Sequence, residues 1–148
     1  MHFTTLFILK GETLDTIGES DVIQLFGERF CYACGETTPK YQYWCDWFQI
    51  GGRWGDMLQA KKGIHCERNW SNDNAPIVED EFAIVEIKDL TAPLPRGNIY
   101  SVATKSRIYL KSEDWNYGNV NPVKFNELLD KIDKKEIKGI IAFIDCHD

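Results

Sequence analysis

Residues 140–145 read IIAFID, five apolar side chains in succession with no polar position between them. Such a run is a strand without a solvated face, and it belongs at the centre of a sheet. Gly139 breaks the chain just before it. Upstream, Asn121-Pro122 predicts a helix start, with Asn121 as N-cap and Pro122 at the first helical position. The apolar face of that helix is Val123, Phe125, Leu128, Leu129 and Ile132, and lysines close it favourably for the helix dipole. Residues 2–9 and 81–88 carry the β-branched and aromatic types of strands. Residues 98–103 and 106–111 give two more strands, or one long bent one, after the breaker APLPRG at 92–97. A short helix over 21–29 is capped by Ser20 or Asp21 and places Val22, Leu25, Phe26 and Arg29 at helical spacing. Residues 60–80 read as a surface loop. The order is strand, helix, strand, strand, helix, strand. It predicts an α+β fold, a ferredoxin-like split βαβ sandwich, with an aromatic-rich insertion between the first helix and second strand. The length of 148 residues suits one domain spanning 1–148.

That insertion holds the functional signal. Residues 43–58, YWCDWFQIGGRWGDML, contain three Trp, a Tyr, a Phe, an adjacent Gly pair, one Arg and two Asp. Aromatic surface is costly to leave in water, so part of the segment must be buried. The Gly pair admits turns and close approaches that a side chain forbids. Arg53, set between that pair and Trp54, needs a partner for its charge. A protein carboxylate or a ligand's phosphate or carboxylate would serve.

Two motifs carry a resemblance. Asp46, Trp47, Ile50, Gly51, Gly52, Arg53 and Trp54 are similar to the D-W-[FY]-x-[IL]-G-G-R-W segment of an uncharacterised family of small bacterial and phage proteins. The C-terminal Asp145, Cys146 and His147 resemble that family's ending, an apolar strand followed by Asp-Cys-His. Two departures are Asp56 directly after Gly55, where the family pattern has its Gly one residue later, and Asp148 after the His. The resemblance implies that the two motifs lie together.

The composition excludes several classes. A net charge of −6 and a pI near 5.1 disfavour broad binding to a nucleic-acid backbone, which needs clustered Lys and Arg. No apolar run approaches a membrane span, and no signal peptide is visible, so a cytoplasmic protein without membrane contact is expected. Five cysteines, an odd count, then favour reduced thiols.

The chemistry-bearing residues form three groups. Arg53, Asp145 and His147, framed by Trp47 and Trp54, suit a flat anion: Arg binds phosphate or carboxylate, Trp stacks on rings, and His moves protons near neutrality. His147 and Asp145 are the candidate catalytic residues; Asp46, Trp47, Gly51, Gly52, Arg53 and Trp54 are the candidate ligand-binding residues. Equally, Arg53 could pair with Asp46 or Asp145 across the core, and His147 could close a strand end. The second group is Cys31-x-x-Cys34-Gly with Cys45, His65 and Cys66. It resembles a zinc knuckle but lacks a second paired motif, so no metal is expected. The third is the carboxylates Asp46, Asp56, Glu79, Asp80 and Glu81, of which the run 79–81 reads as a solvated strand start. Cys146 and His147 are neighbours on a strand and point to opposite faces, so they cannot readily form a Cys–His nucleophilic pair. No Gly-rich phosphate loop or nucleophile elbow occurs, and no cofactor is implied.

Three functions fit. The first is a binding protein for a small anionic or nucleotide-like molecule, held by Arg53 and the tryptophans. The second is a hydrolase or lyase on a similar ligand, with His147 as acid or base. The third is a phage-type inhibitor whose GGRW segment anchors a protein partner.

Overall fold

A computed structural model describes residues 2–31, 44–68, 72–111 and 119–148. Its centre is the C-terminal strand β9 (Gly139–His147), which pairs along its whole length with the N-terminal strand β1 (His2–Lys10), antiparallel, from His2↔His147 to Lys10↔Gly139. The other edge of β9 is shared. Strand β2 (Trp47–Ile50) takes its C-terminal half and β5 (Ile84–Glu86) takes its N-terminal half. Every β9 residue from Ile140 to Cys146 is buried, as an unbroken apolar run requires. Beyond β1 the sheet continues through β6 (Ser101–Ala103), parallel to β1, then β7 (Ile108–Leu110) and β8 (Asn119–Val120).

The pleat of β1 sends alternate side chains into two cores. Phe7 and Leu9 pack with Val22, Phe26 and Phe30 of helix α1 (Glu19–Phe30). Leu6 and Ile8 pack with Phe125, Leu128, Leu129 and Ile132 of helix α2 (Pro122–Asp133). The hairpin of β3 (Leu58–Gln59) and β4 (Glu81–Phe82) covers the α2-side core as well. The two helices therefore lie on opposite faces of one sheet.

This corrects the ferredoxin-like expectation. The fold is mixed α+β, with a sheet core and, among the described residues, two α-helices, but a split βαβ sandwich carries both helices on one face. Here the parallel neighbour of β1 is β6, the first strand of the β6–β7 hairpin, and the order runs β2-β9-β1-β6-β7-β8. The physical reason lies in β1 and β9: both are apolar on successive positions, so both of their faces need a cover.

Local differences have local causes. The run 81–88 is not one strand. Ala83 takes its carbonyl to Phe143 and its N–H to Ile64, so the chain leaves the β3–β4 hairpin there and joins β9 as β5. The N-cap of α1 is Gly18, whose N–H donates to Asp21 at 2.8 Å, so Asp21 acts from inside the first turn. Asn121 caps α2 as expected, accepting from Lys124 N–H at 3.0 Å. Val123 is 77% exposed and does not belong to the apolar face of α2. The loop 60–80 is partly interior, with Ala60, Cys66 and Asn72 buried. Among the described residues no helix is long and apolar enough to cross a membrane.

Candidate functional site

The two motifs meet. Ile50 ends β2, and Gly51 N–H donates to the Phe143 carbonyl at 2.7 Å, holding the chain against β9. Gly51 (φ +71) and Gly52 (φ +50) then turn it into one turn of 3-10 helix, Gly52–Trp54. Both positions need glycine. A Cβ on Gly52 would lie 2.4 Å from the Cβ and Oδ2 of Asp145, and one on Gly51 would lie 2.5 Å from the Cβ of Cys66. The close approach aims the Arg53 backbone N–H at Asp145 Oδ2, 2.8 Å away. Asn72, from the loop expected at the surface, donates to the Gly52 carbonyl at 2.7 Å and fixes the turn from outside.

Asp145 is 1% exposed and its second oxygen meets His2 Nδ1 at 2.8 Å. A buried carboxylate needs such partners. Register brings them together: Trp47, His147 and His2 lie in one row across β2, β9 and β1, and Gln49, Asp145 and Thr4 lie two rows on, on the same face of the sheet. In the first row Trp47 stacks on His147 at 4.7 Å and 18°, while His2 meets His147 edge-on at 4.9 Å. His147 Nδ1 is buried and has no hydrogen-bond partner among the described residues.

The expected site residues are thus gathered but differently employed. Arg53 is exposed, with its guanidinium 6.0 Å from the Trp54 ring centre, and it makes no ion pair with Asp46 or Asp145. Its main chain, not its side chain, binds the carboxylate. Asp46 is held by its own N–H, which donates to the His147 carbonyl at 2.8 Å. His147 is locked under Trp47, and the imidazole in contact with Asp145 belongs to His2. Sequence reasoning missed His2. The available signal was its place on the first strand, where an antiparallel β1–β9 pair sets residue 2 opposite residue 147.

A cleft of about 290 Å³ opens beside His2, lined also by Thr4, Trp54, Asn98, Tyr100 and Lys111. The Thr4 hydroxyl donates to the Asn98 carbonyl and accepts from Tyr100 N–H at 3.0 Å, tying its wall to β1. The cleft thus has an indole, a phenol, an imidazole backed by a carboxylate, and an exposed ammonium. This combination can hold a flat ring and an anionic substituent.

Asp56 has a separate role. Its carboxylate accepts from Cys66 N–H at 2.7 Å and meets His65 Nδ1 at 2.8 Å, with Arg68 3.6 Å away. His65 in turn stacks on Phe82 at 4.6 Å. Asp56 therefore closes the 56–66 loop. Burial, then the neighbouring Asp56 charge, pushes the Cys66 thiol up to about 12. On the α1 side of the sheet, hydrogen bonding with Cys146 and then Cys31, followed by burial, raises Cys45 above its ordinary range. Cys31, Cys45, Cys66 and Cys146 are buried. Cys34 lies outside the described residues. Among the described residues no group of His, Cys, Asp and Glu is arranged to hold a metal ion.

Comparison with protein-family models, with curated proteins and with solved structures finds no match to this chain.

Proposed function

We propose that the protein binds a small, flat, anionic molecule of the nucleotide type in the cleft beside His2 and Trp54. One observation carries this reading: the cleft joins an aromatic wall, Trp54 and Tyr100, to the His2 imidazole and the Lys111 ammonium. The ring of the ligand stacks on the indole, and its phosphate or carboxylate meets Lys111 and His2. Arg53, beside the Trp54 ring, adds positive charge near the site. The buried Asp145 orients His2.

Calorimetric titration with nucleoside monophosphates tests the proposal. Saturable binding is expected, weakened in Trp54→Ala and in Lys111→Ala with the fold intact. The absence of saturable heat across the four common bases, or equal affinity in Trp54→Ala, overturns it.

A second reading rests on the pair His2–Asp145. A carboxylate on one imidazole nitrogen leaves the other free to accept or give a proton. In a hydrolase or lyase acting on the same ligand, His2 is then the acid–base group in place of His147. Multiple turnover lost in His2→Gln distinguishes this reading from binding alone.

A further inference from the structure

A second cleft, of about 470 Å³, lies at the other end of the β1–β9 pair. Gly11, Glu86, Lys88, Lys135, Lys138 and Gly139 are among its lining residues, and among the described residues no aromatic side chain lines it. It is built by the chain's close approaches. Gly11 N–H donates to the Lys138 carbonyl at 2.8 Å. A Cβ on Gly139 would lie 2.4 Å from the Leu9 carbonyl oxygen, so glycine lets β9 start flush against β1. Lys135 follows α2 in the left-handed region (φ 58), and its Nζ donates to the Lys88 carbonyl at 3.0 Å, which joins two walls of the cleft.

Glu86 is the unusual group. Its side chain is 7% exposed, it stands on β5 opposite Ile140, and its nearest cation is Lys88 Nζ at 3.9 Å. No hydrogen bond reaches its carboxylate among the described residues. A carboxylate on a largely buried side chain, with one loose ion pair to an ammonium that is itself 70% exposed, has no protein donor among the described residues and keeps its oxygens for whatever enters the cleft. A ligand with an ammonium group supplies such a donor. The cleft also carries three lysines, Lys88, Lys135 and Lys138, against two acids, Glu12 and Glu86, and Glu12 is already paired with Lys105 at 3.4 Å, so the site is positive overall. Its electrostatic complement is a molecule with one ammonium and two carboxylates.

We propose that this cleft binds a small acidic amino acid, its ammonium on Glu86 and its carboxylates on Lys88 and Lys138. The absence of an aromatic wall separates it from the cleft beside Trp54, which suits a planar ring.

Amide NMR titrations of the full chain with L-glutamate, L-aspartate, glutarate and L-lysine test the assignment. Glutamate or aspartate is expected to give saturable shifts at Gly11, Lys138 and Gly139. Glutarate, which lacks the ammonium, should bind roughly tenfold more weakly or worse, and so should glutamate to Glu86→Gln. Lys138→Ala removes an exposed side chain, and its affinity must also fall, which keeps the test open if Glu86→Gln does not fold. No saturable shift with either acidic amino acid, equal binding of glutarate, or shifts confined to Trp54 and Lys111 would each overturn the proposal.

Discussion

The Asp145 carboxylate and the Arg53 backbone N–H are 2.8 Å apart across ninety-two residues of sequence. This bond, with the His2 contact on the other carboxylate oxygen, locks the GGRW turn to both terminal strands. Asp145→Ala leaves the Arg53 N–H and His2 Nδ1 without the buried carboxylate that joins them. It should cost about 3 kcal/mol of stability. Arg53→Ala removes an exposed side chain and keeps the N–H, so it should stay within about 0.5 kcal/mol of the parent. Urea unfolding of the two variants measures the contrast. Equal losses would mean that the guanidinium, not the main chain, holds the turn.

Gly52 provides a second test of the same contact. An added methyl at this φ of +50° meets Asp145 at 2.4 Å, and Asp145 has no room to retreat. Gly52→Ala should destabilise by about 2 kcal/mol or more. Gly55 also has positive φ (+70°), but its Cβ would meet nothing within 4 Å. Gly55→Ala should therefore cost about 1–3 kcal/mol from backbone strain alone, because its ψ of −140° lies outside the left-handed helical well. Thermal unfolding of the pair isolates the steric share.

The histidines should separate binding from stability. His2 lines the cleft, whereas His147 lies under Trp47 with Nδ1 buried. His2→Gln should weaken nucleotide affinity by about 1 kcal/mol, the worth of one hydrogen bond. His147→Gln should mainly lower the unfolding midpoint. Calorimetric titration alongside thermal unfolding checks both. Affinity that follows His147 and ignores His2 would return the ligand to the row above Trp47.

How much of this was legible in the residues depends on the range of the interaction. The unbroken apolar run of β9 announces a central strand, and Asn121-Pro122 announces its helix, because both signals are local. The topology was not legible. Which strand lies beside β1 depends on contacts such as Leu6↔Val102, and no local pattern in either segment encodes that pairing. The site was half legible. Gly51-Gly52 signals a close approach, and Asp145 and His147 share a face by strand alternation. What the Gly pair approaches, and that Arg53 would serve through its N–H, are tertiary facts. His2 was invisible for the same reason, because only its register opposite residue 147 gives it a role.

Alkaline pH should destabilise the fold through its buried thiols. The Cys66 thiol rises from an ordinary 9.0 to about 12 in the folded chain, first through burial and then through the Asp56 charge. A folded-state value above the unfolded one means that the native protein holds its proton more tightly. The stabilisation is complete below pH 9 and is lost as pH rises from there through about 12, because the unfolded chain ionises first. Cys45 is raised as well and acts in the same direction. Stability measured by urea unfolding should therefore fall steadily above pH 9, with a shallower fall in Cys66→Ala. Iodoacetamide should label Cys66 in the native protein far more slowly than in urea at the same pH, since the thiolate is the nucleophile. Rapid native labelling at pH 8 would show an ionised, accessible thiol, and the Asp56–Cys66 contact would then have to be different from the one described.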